Sequence, residues 1–158
     1  MTIRVGHGID VHRFDATRPL VLGGLDIPGA PGLTGHSDAD VVSHAIADAL
    51  LGAAGLGDLG THFPSDERWR DASSIDILRE VTRLLAAAGA SIVNVDVTVV
   101  AEAPRLAPYR DEMRKRVAGA LACDPGLISI KATTTDGIGF TGRREGMAAL
   151  AVALVEST

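Results

Sequence analysis

Residues 91–100 alternate between valine and polar side chains. Valine occupies every odd position from 93 to 99, and Asn, Asp and Thr occupy the even positions between them. Successive side chains of a β-strand point to opposite faces, so this pattern predicts a strand that is buried on one face only. Such a strand needs neighbours in a sheet and a second layer that covers its apolar face.

The rest of the chain mixes helical and strand patterns. Apolar side chains at helical spacing, each run opened by a Ser-x-x-Asp capping box, predict helices from Ser37 to about Gly52 and from Ser73 to Ala88. A third helix is predicted around residues 113–121, after a turn between Pro104 and Pro108. Further strands are predicted near residues 2–14, 19–27 and 127–135, whereas residues 146–156 suit a helix or a buried strand equally well.

This order of elements predicts an α/β (α+β) fold, a sandwich in which helices cover one face of a mixed β-sheet. No internal repeat, low-complexity stretch or linker divides the chain, so residues 1–158 are predicted to form a single domain. Aromatic residues make up only 3% of the chain, so the core must rely on small aliphatic side chains, and association with further copies would bury more apolar area.

Charge and hydropathy exclude several classes of partner. A net charge of −5 without a basic run argues against nucleic-acid binding, which needs Lys and Arg to neutralise phosphates. No apolar run is long enough to span a bilayer, so no membrane partner is expected. The N-terminus lacks the order of a signal peptide, which predicts a cytoplasmic location. Cys123 has no partner for a disulfide and is expected to be a buried structural thiol.

Three side chains in the first third of the chain suit one divalent metal. Asp10 and His12 lie two apart in a predicted strand, so they project from the same face, while Ile9 and Val11 are expected to face the core. His44 lies on the first predicted helix, on one stripe with Asp40 and Asp48. One carboxylate and two imidazoles suit zinc or a similar cation and leave a position for a further ligand. Asp40 is interpreted as a helix cap or as a residue that supports the metal ligands without contacting the metal.

Two other segments have the chemistry of phosphate binding. Residues 131–136, Lys-Ala-Thr-Thr-Thr-Asp, combine an ammonium, hydroxyls and a carboxylate at a strand end, although threonines there also fit strand propensity alone. The Gly-x-Gly-x-x-Gly run at 137–142 leaves no room for a βαβ unit after it, so its glycines are expected to form a tight turn beside Arg143 and Arg144. The loop at 57–67 fits either a binding loop or ordinary turns.

In order along the chain, these segments resemble the 2-C-methyl-D-erythritol 2,4-cyclodiphosphate synthases of the non-mevalonate isoprenoid pathway. Two of the similar motifs are metal motifs, at residues 8–14 and at 35–40 with His44 and 48–52. The others are residues 103–106, 131–135 and 139–143. Five ordered motifs over nearly the whole chain make the resemblance specific.

The resemblance implies a homotrimer with sheets inward, helices outside and active sites between neighbouring subunits. It also implies a reaction in which the 2-phosphate of 4-diphosphocytidyl-2-C-methyl-D-erythritol 2-phosphate attacks the β-phosphorus and releases CMP. Catalysis would then depend on neutralising and positioning anions rather than on a covalent nucleophile. An isoprenoid phosphate in the central cavity is a further expected partner.

The resemblance also assigns roles to individual residues. Asp10, His12 and His44 would hold one zinc-like cation (Zn, Mn or Co) per subunit, and Asp136 would contact a magnesium ion that bridges the substrate diphosphate. The resemblance implies catalytic roles for His36 and Thr134. The residues that it implies bind substrate are Asp10, His12, His36, Ser37, Asp58, Gly60, Phe63, Asp66, Glu67, Ala101, Pro104, Arg105, Leu106, Lys131, Thr133, Thr134, Thr135, Asp136, Phe140 and Arg143.

Two positions depart from the family pattern. Many relatives carry Glu in place of Asp136, and Asp in place of Ser65. The shorter carboxylate would reach magnesium through water. The alternative functions are a metal-dependent phosphohydrolase, in which the same ligands activate water, and a non-catalytic protein that binds a cytidine nucleotide or an isoprenoid phosphate.

Overall fold

The computed structural model describes residues 1–157. Five strands form the central sheet in the order β4-β1-β7-β5-β6. Their ranges are β1 (Thr2–Asp15), β4 (Gly32–Leu33), β5 (Ala90–Val100), β6 (Ile128–Thr133) and β7 (Gly146–Ser157). A separate hairpin consists of β2 (Leu20–Leu22) and β3 (Leu25–Ile27). The helices are α1 (Val41–Ala54), α2 (Leu59–His62), α3 (Ser74–Ala87), α4 (Arg110–Ala120) and α5 (Gly139–Gly142), and 3₁₀ turns cover Glu67–Trp69, Ala107–Tyr109 and Pro125–Leu127.

The sheet is mixed, as the sequence predicts. β7 lies between β1 and β5 and pairs antiparallel with both. β6 pairs parallel with β5 after the crossover through α4. The ambiguous last segment is therefore a strand, because its alanines allow close packing while its backbone completes two ladders. Among residues 1–157, no helix has both the length and the hydrophobicity needed to cross a bilayer.

Helix α1 packs directly on β1 because two glycines of β1 remove the side chains between them. A Cβ on Gly6 would lie 1.9 Å from the Ala49 carbonyl oxygen, and one on Gly8 would lie 2.0 Å from that of Ala45. Asp10 and His12 continue this face of the strand toward the helix layer. The close contact brings the N-terminal half of α1 beside them.

On the opposite face of the sheet, β1 and β7 expose apolar side chains to solvent in the single chain. Ile9 and Val11 lie on this face, so the prediction that they point to the core is wrong. The glycines explain the reversal, since the face that packs on α1 is the one with the smallest side chains. Val5 (67% exposed), Leu150 and Val152 extend the same apolar surface. Helices thus cover only one face of the sheet.

The predictions for residues 19–27 and for the start of α1 also need correction. Residues 19–27 form a hairpin rather than one strand, because the chain turns at Gly23 and Gly24, both at positive φ. Helix α1 begins after Asp40, whose buried carboxylate accepts hydrogen bonds from the backbone of Ser43 (3.0 Å), Gly23 and Gly24. Burial raises the pKa of Asp40, an effect that the nearby Asp38 carboxylate reinforces. Asp40 is therefore a cap that also attaches the hairpin to α1, as the cap interpretation predicts.

The second predicted capping box does not form. Ser73 precedes α3, but its side chain makes no capping hydrogen bond. Asp38 instead accepts a hydrogen bond from the backbone nitrogen of Ser74 (2.8 Å), so the cap comes from a residue distant in sequence.

Cys123 is only half-buried, at the end of α4, where desolvation raises the pKa of its thiol.

Candidate active site

Asp10, His12 and His44 meet where β1 faces the start of α1. Asp10 Oδ2 lies 3.0 Å from His12 Nε2 and 3.1 Å from His44 Nδ1. Within residues 1–157 this is the one group of three or more His, Cys, Asp or Glu side chains whose ligand atoms all lie close enough to share a metal, within 4.8 Å of one another. The three predicted metal ligands therefore converge on one point.

Hydrogen bonds to the far side of each imidazole orient the two histidines. His12 Nδ1 lies 2.5 Å from the carbonyl oxygen of Thr34, which can only accept, so Nδ1 donates to Thr34 and Nε2 is the nitrogen that faces Asp10. His44 faces Asp10 with Nδ1, and its Nε2 lies 2.9 Å from Ser74 Oγ and 3.2 Å from Ser37 Oγ. Each ring therefore presents one nitrogen to the same point.

The charges of the cluster fit a cation. Burial alone would raise the pKa of Asp10, but hydrogen bonds from His12 and His44 outweigh it and lower the pKa from 3.8 to about 2. Burial would lower the pKa of His44, but its hydrogen bond and ion pair with Asp10 raise it above 6.5. A divalent cation could take the place of the hydrogen bonds between Asp10 and the two rings, and one carboxylate with two imidazoles is a ligand set that zinc accepts.

A pocket of about 210 Å³ opens beside this cluster. Its walls combine the two metal-site histidines with His36, Ser37, Leu59, Phe63, Ser65, Trp69 and Ile77. Phe63 packs edge-on against Trp69, with the ring centroids 4.7 Å apart. The pocket therefore has polar groups on the metal side and an aromatic wall opposite.

The segment that carries His36 and Ser37 is held by backbone contacts. The guanidinium of Arg18 donates to the carbonyl oxygens of Gly35 (2.6 Å) and Ser37 (2.5 Å). His36 Nε2 lies 2.8 Å from the carbonyl oxygen of Asp66, which links this segment to the 63–67 loop. Both predicted phosphate-binding side chains therefore have a defined orientation at the pocket.

The other predicted residues of this region cap short helical segments. Asp58 accepts hydrogen bonds from the backbone nitrogen (2.9 Å) and hydroxyl (2.8 Å) of Thr61, with Gly60 between them in α2. Asp66 caps the 3₁₀ turn that begins at Glu67. Because these carboxylates already accept local hydrogen bonds, a ligand would have to share them.

A second, larger pocket of about 500 Å³ lies at the other edge of the sheet. It is lined by Ala101, Glu102, Pro104, Arg105, Leu106, Ala107, Arg110, Ala132, Thr133 and Thr134. The residues between 101 and 106 and between 131 and 134 that are predicted to bind substrate thus come together, with one exception. Lys131 is not in this lining, because its ammonium pairs with Asp96 (2.6 Å) across β5 and β6.

The turn after β6 carries the remaining predicted residues. Thr134 Oγ1 donates to Asp136 Oδ1 (3.2 Å), and the Asp136 backbone is at positive φ. Glu102 accepts a hydrogen bond from the Thr135 backbone nitrogen (3.0 Å), which joins this turn to the end of β5. Phe140 is 40% exposed, and Arg143 pairs with Glu145 (3.3 Å).

The two pockets lie at the same end of the sheet but on different strands. In the ladder, Asp10 of β1 pairs with Ala149, Ala149 pairs with Val99, and Val99 pairs with Ala132 of β6. Three inter-strand steps separate the metal cluster from the Thr-rich strand end by roughly 14 Å. Within one chain the two pockets therefore remain separate.

Several residues of the site escape sequence reasoning. Thr34 orients His12 through a backbone carbonyl, which leaves no signal in the side-chain pattern. Trp69 and Glu102 have no periodic or motif context. The predicted capping box includes Ser73, which makes no capping hydrogen bond, whereas the next residue, Ser74, contacts His44 and belongs to no motif.

The fold and site define a mixed α/β protein whose His/Asp cluster could bind a divalent metal beside a pocket. The sequence profile of the YgbB family matches residues 3–156. The chain is 55% identical over 157 residues to the 2-C-methyl-D-erythritol 2,4-cyclodiphosphate synthase of Pelotomaculum thermopropionicum, covering 99% of this chain and 97% of that one. It is 58% identical over 152 residues to the enzyme of the same name from Symbiobacterium thermophilum, covering 96% and 97%.

A solved structure gives the same result. IspF from Plasmodium falciparum, in complex with CDP, matches with a TM-score of 0.86 and 32% identity over 99% of this chain and 97% of that one. The chain belongs to the YgbB family, which confirms the resemblance found in its motifs.

Proposed function

We infer that this chain is a 2-C-methyl-D-erythritol 2,4-cyclodiphosphate synthase of non-mevalonate isoprenoid biosynthesis. It converts 4-diphosphocytidyl-2-C-methyl-D-erythritol 2-phosphate into the cyclic diphosphate and CMP, and residues 1–158 act as one synthase domain. The observation that carries the inference is the convergence of Asp10, His12 and His44 beside a pocket with phosphate-binding chemistry, in a chain about 55% identical to enzymes of that name.

Asp10, His12 and His44 hold a zinc-like cation. When bound, such a cation neutralises phosphate charge and makes the attacked phosphorus more electrophilic. The Ser37 hydroxyl donates a hydrogen bond to a phosphate oxygen from the wall of the same pocket, where His36 lies beside it. Phe63 and the 58–67 loop contact the methylerythritol. The reacting anions then lie together without their full mutual repulsion.

The second pocket binds the cytidine and diphosphate. The bound CDP in the P. falciparum relative supports a cytidine-linked ligand, and the 101–106 strand end with Thr133 and Thr134 offers a matching pocket. Asp136 would help to hold a magnesium ion through water, because its carboxylate is short, and the ion would supply neutralisation of phosphate charge. Lys131 acts from the strand rather than the pocket wall.

The enzyme is proposed to work as a homotrimer in the cytoplasm. Adjacent phosphoryl groups of one diphosphate lie much closer together than the roughly 14 Å between the two halves in one chain. A complete site therefore takes the metal half from one subunit and the nucleotide half from its neighbour. The exposed apolar sheet face supplies the surface for this assembly, with Phe140 and Arg143 around a central cavity suited to an isoprenoid phosphate.

A ³¹P NMR assay of the purified protein with the cytidine-linked substrate, magnesium and zinc tests the function. We expect coupled resonances of a cyclic diphosphate together with CMP, and the loss of both after chelation. An open-chain phosphate product would indicate a phosphohydrolase. Unchanged substrate with metal-loaded trimer would indicate a binding protein. Either of these results would overturn the proposal.

A further inference from the structure

A chain of hydrogen bonds leads from His44 away from the metal cluster into the protein. His44 Nε2 lies 2.9 Å from Ser74 Oγ, and the Ser74 hydroxyl in turn donates to Asp38 Oδ1. Asp38 Oδ2 accepts a hydrogen bond from the Ser74 backbone nitrogen at 2.8 Å. Ser74 is fully buried, and His44 is 8% exposed. The contact therefore lies away from bulk water and joins the start of α3 to the start of α1.

The proton positions in this chain follow from the groups involved. An ionised carboxylate only accepts, so the single hydroxyl proton of Ser74 points to Asp38. The Ser74 oxygen then offers a lone pair to His44, and the Nε2 atom of His44 must be the donor. A neutral imidazole with its proton on Nε2 has its lone pair on Nδ1. That is the nitrogen that faces Asp10.

Ser37 is a second hydroxyl near the same nitrogen, but it is not held in the same way. Ser37 Oγ lies 3.2 Å from His44 Nε2 and has no carboxylate partner. With Ser74 as the acceptor for His44, the Ser37 hydroxyl stays available to the pocket that it lines. The two serines thus have different roles although both lie near His44.

We propose that Ser74, oriented by Asp38, is a positioning residue that fixes His44 as an Nδ1 metal ligand and leaves Ser37 free to bind substrate phosphate. The proposal rests on the proposed metal-dependent function. It predicts that the buried hydroxyl of Ser74 contributes to metal affinity without contacting the metal, as hydrogen-bond partners of metal-bound histidines do.

Ser74→Ala removes the hydroxyl but keeps the backbone hydrogen bond to Asp38 that caps α3. Zinc affinity, measured by competition with a chromophoric chelator, should fall about 10- to 100-fold. Ser73→Ala is the matched control, since the exposed Ser73 side chain makes no capping bond, and its affinity should change by less than about twofold. Activity of Ser74→Ala should fall at limiting zinc and recover at saturating zinc, which a general structural defect would not do.

The outcomes separate this inference from the function on which it rests. If wild-type protein binds no zinc, the proposed function fails first. If wild-type protein binds zinc and Ser74→Ala binds it as tightly as Ser73→Ala, the positioning role is wrong. Should Ser74→Ala fail to fold, ¹⁵N NMR of zinc-loaded wild-type protein decides. Zinc on Nδ1 of His44 with a proton on Nε2 supports the role, and zinc on Nε2 overturns it.

Discussion

The metal cluster and the Thr-rich turn after β6 lie at the same end of the sheet, yet they are built differently. Asp10, His12 and His44 lie on long elements that pack against each other, and each imidazole has a partner on its far side. Thr134 and Asp136 lie on an exposed turn and bond mainly to each other. One half of the site is complete within the chain, whereas the other is open on the side where a neighbour or substrate would lie.

The largest loss of activity is expected when the metal cluster loses one of its ligands. His44→Ala removes a ligand from the cluster, and activity should fall by about 10³-fold or more, because a metal contributes several kcal/mol to charge stabilisation. Zinc binding should be lost in the same variant. Sedimentation should still show a trimer, since His44 lies on the face that packs on the helices. Dissociation of the variant would mean that the metal holds the assembly together.

A charge on the exposed sheet face should disrupt the proposed interface between subunits. Val152 is 45% exposed on β7, directly opposite Asp96 of β5, and Val152→Asp would bury a second carboxylate there in a trimer. We expect dissociation in a sedimentation run and an activity loss of about 10²-fold, with zinc affinity unchanged because the cluster lies in one chain. Lys115→Asp on the exposed side of α4 is the control and should leave a trimer. A trimeric, active Val152→Asp protein would disprove an interface on this face.

A smaller effect is expected at the exposed turn itself. Asp136→Ala should raise the magnesium concentration needed for half-maximal activity by about tenfold, since one outer ligand of the ion is lost. Asp26→Ala, which removes an exposed carboxylate from the β2–β3 hairpin, should leave the magnesium titration unchanged. Identical titrations for the two variants would show that Asp136 does not contribute to the magnesium site.

The pH dependence of stability should distinguish the metal-free cluster from the loaded one. Asp10, with its pKa lowered from 3.8 to about 2, stabilises the fold above pH 3.8, and this contribution is lost as the pH falls toward 2. His44, with its pKa raised above 6.5, stabilises the fold fully below pH 6.5 and loses the contribution as the pH rises through the raised pKa. The unfolding temperature of chelator-treated protein should therefore fall both as the pH drops below 3.8 and as it rises above 6.5.

Substitution and metal loading provide the comparison for this profile. Asp10→Asn should remove about 2 kcal/mol of the acid-side dependence, in keeping with the size of the pKa shift. Zinc-loaded protein should lose the alkaline decline, because the cation replaces the proton between Asp10 and His44. Superimposable profiles for Asp10→Asn and wild-type metal-free protein would contradict the proposed coupling.

Sequence reasoning succeeded where local periodicity fixes geometry. The period of two put Asp10 and His12 on one face of β1, and helical spacing put His44 on α1, so the cluster could be predicted. The direction of that face could not, because Ile9 and Val11 are apolar and an apolar side chain is expected in the core. Their exposure in the single chain supports the proposed assembly, which no local pattern of the sequence encodes.

Long-range contacts account for the other gaps. The strand β7 was ambiguous because Ala suits a helix and a close-packed strand, and pairing with β1 and β5 decided the matter. Ser74 was missed because its role depends on Asp38 and His44, which lie 36 and 30 residues away. The pairing of Lys131 with Asp96 on the adjacent strand likewise leaves no local signal in the sequence.

The division of the site between subunits can be tested by mixing two inactive proteins. One carries His44→Ala in the metal half, and the other carries Thr134→Ala with Asp136→Ala in the nucleotide half. After the subunits of the two proteins are exchanged at random in equal amounts, about one third of the sites in mixed trimers, and about one quarter of all sites, should combine two intact halves. We predict that cyclase activity returns to about a quarter of the wild-type value. Mixed trimers that form and stay inactive would contradict a site shared between neighbouring chains.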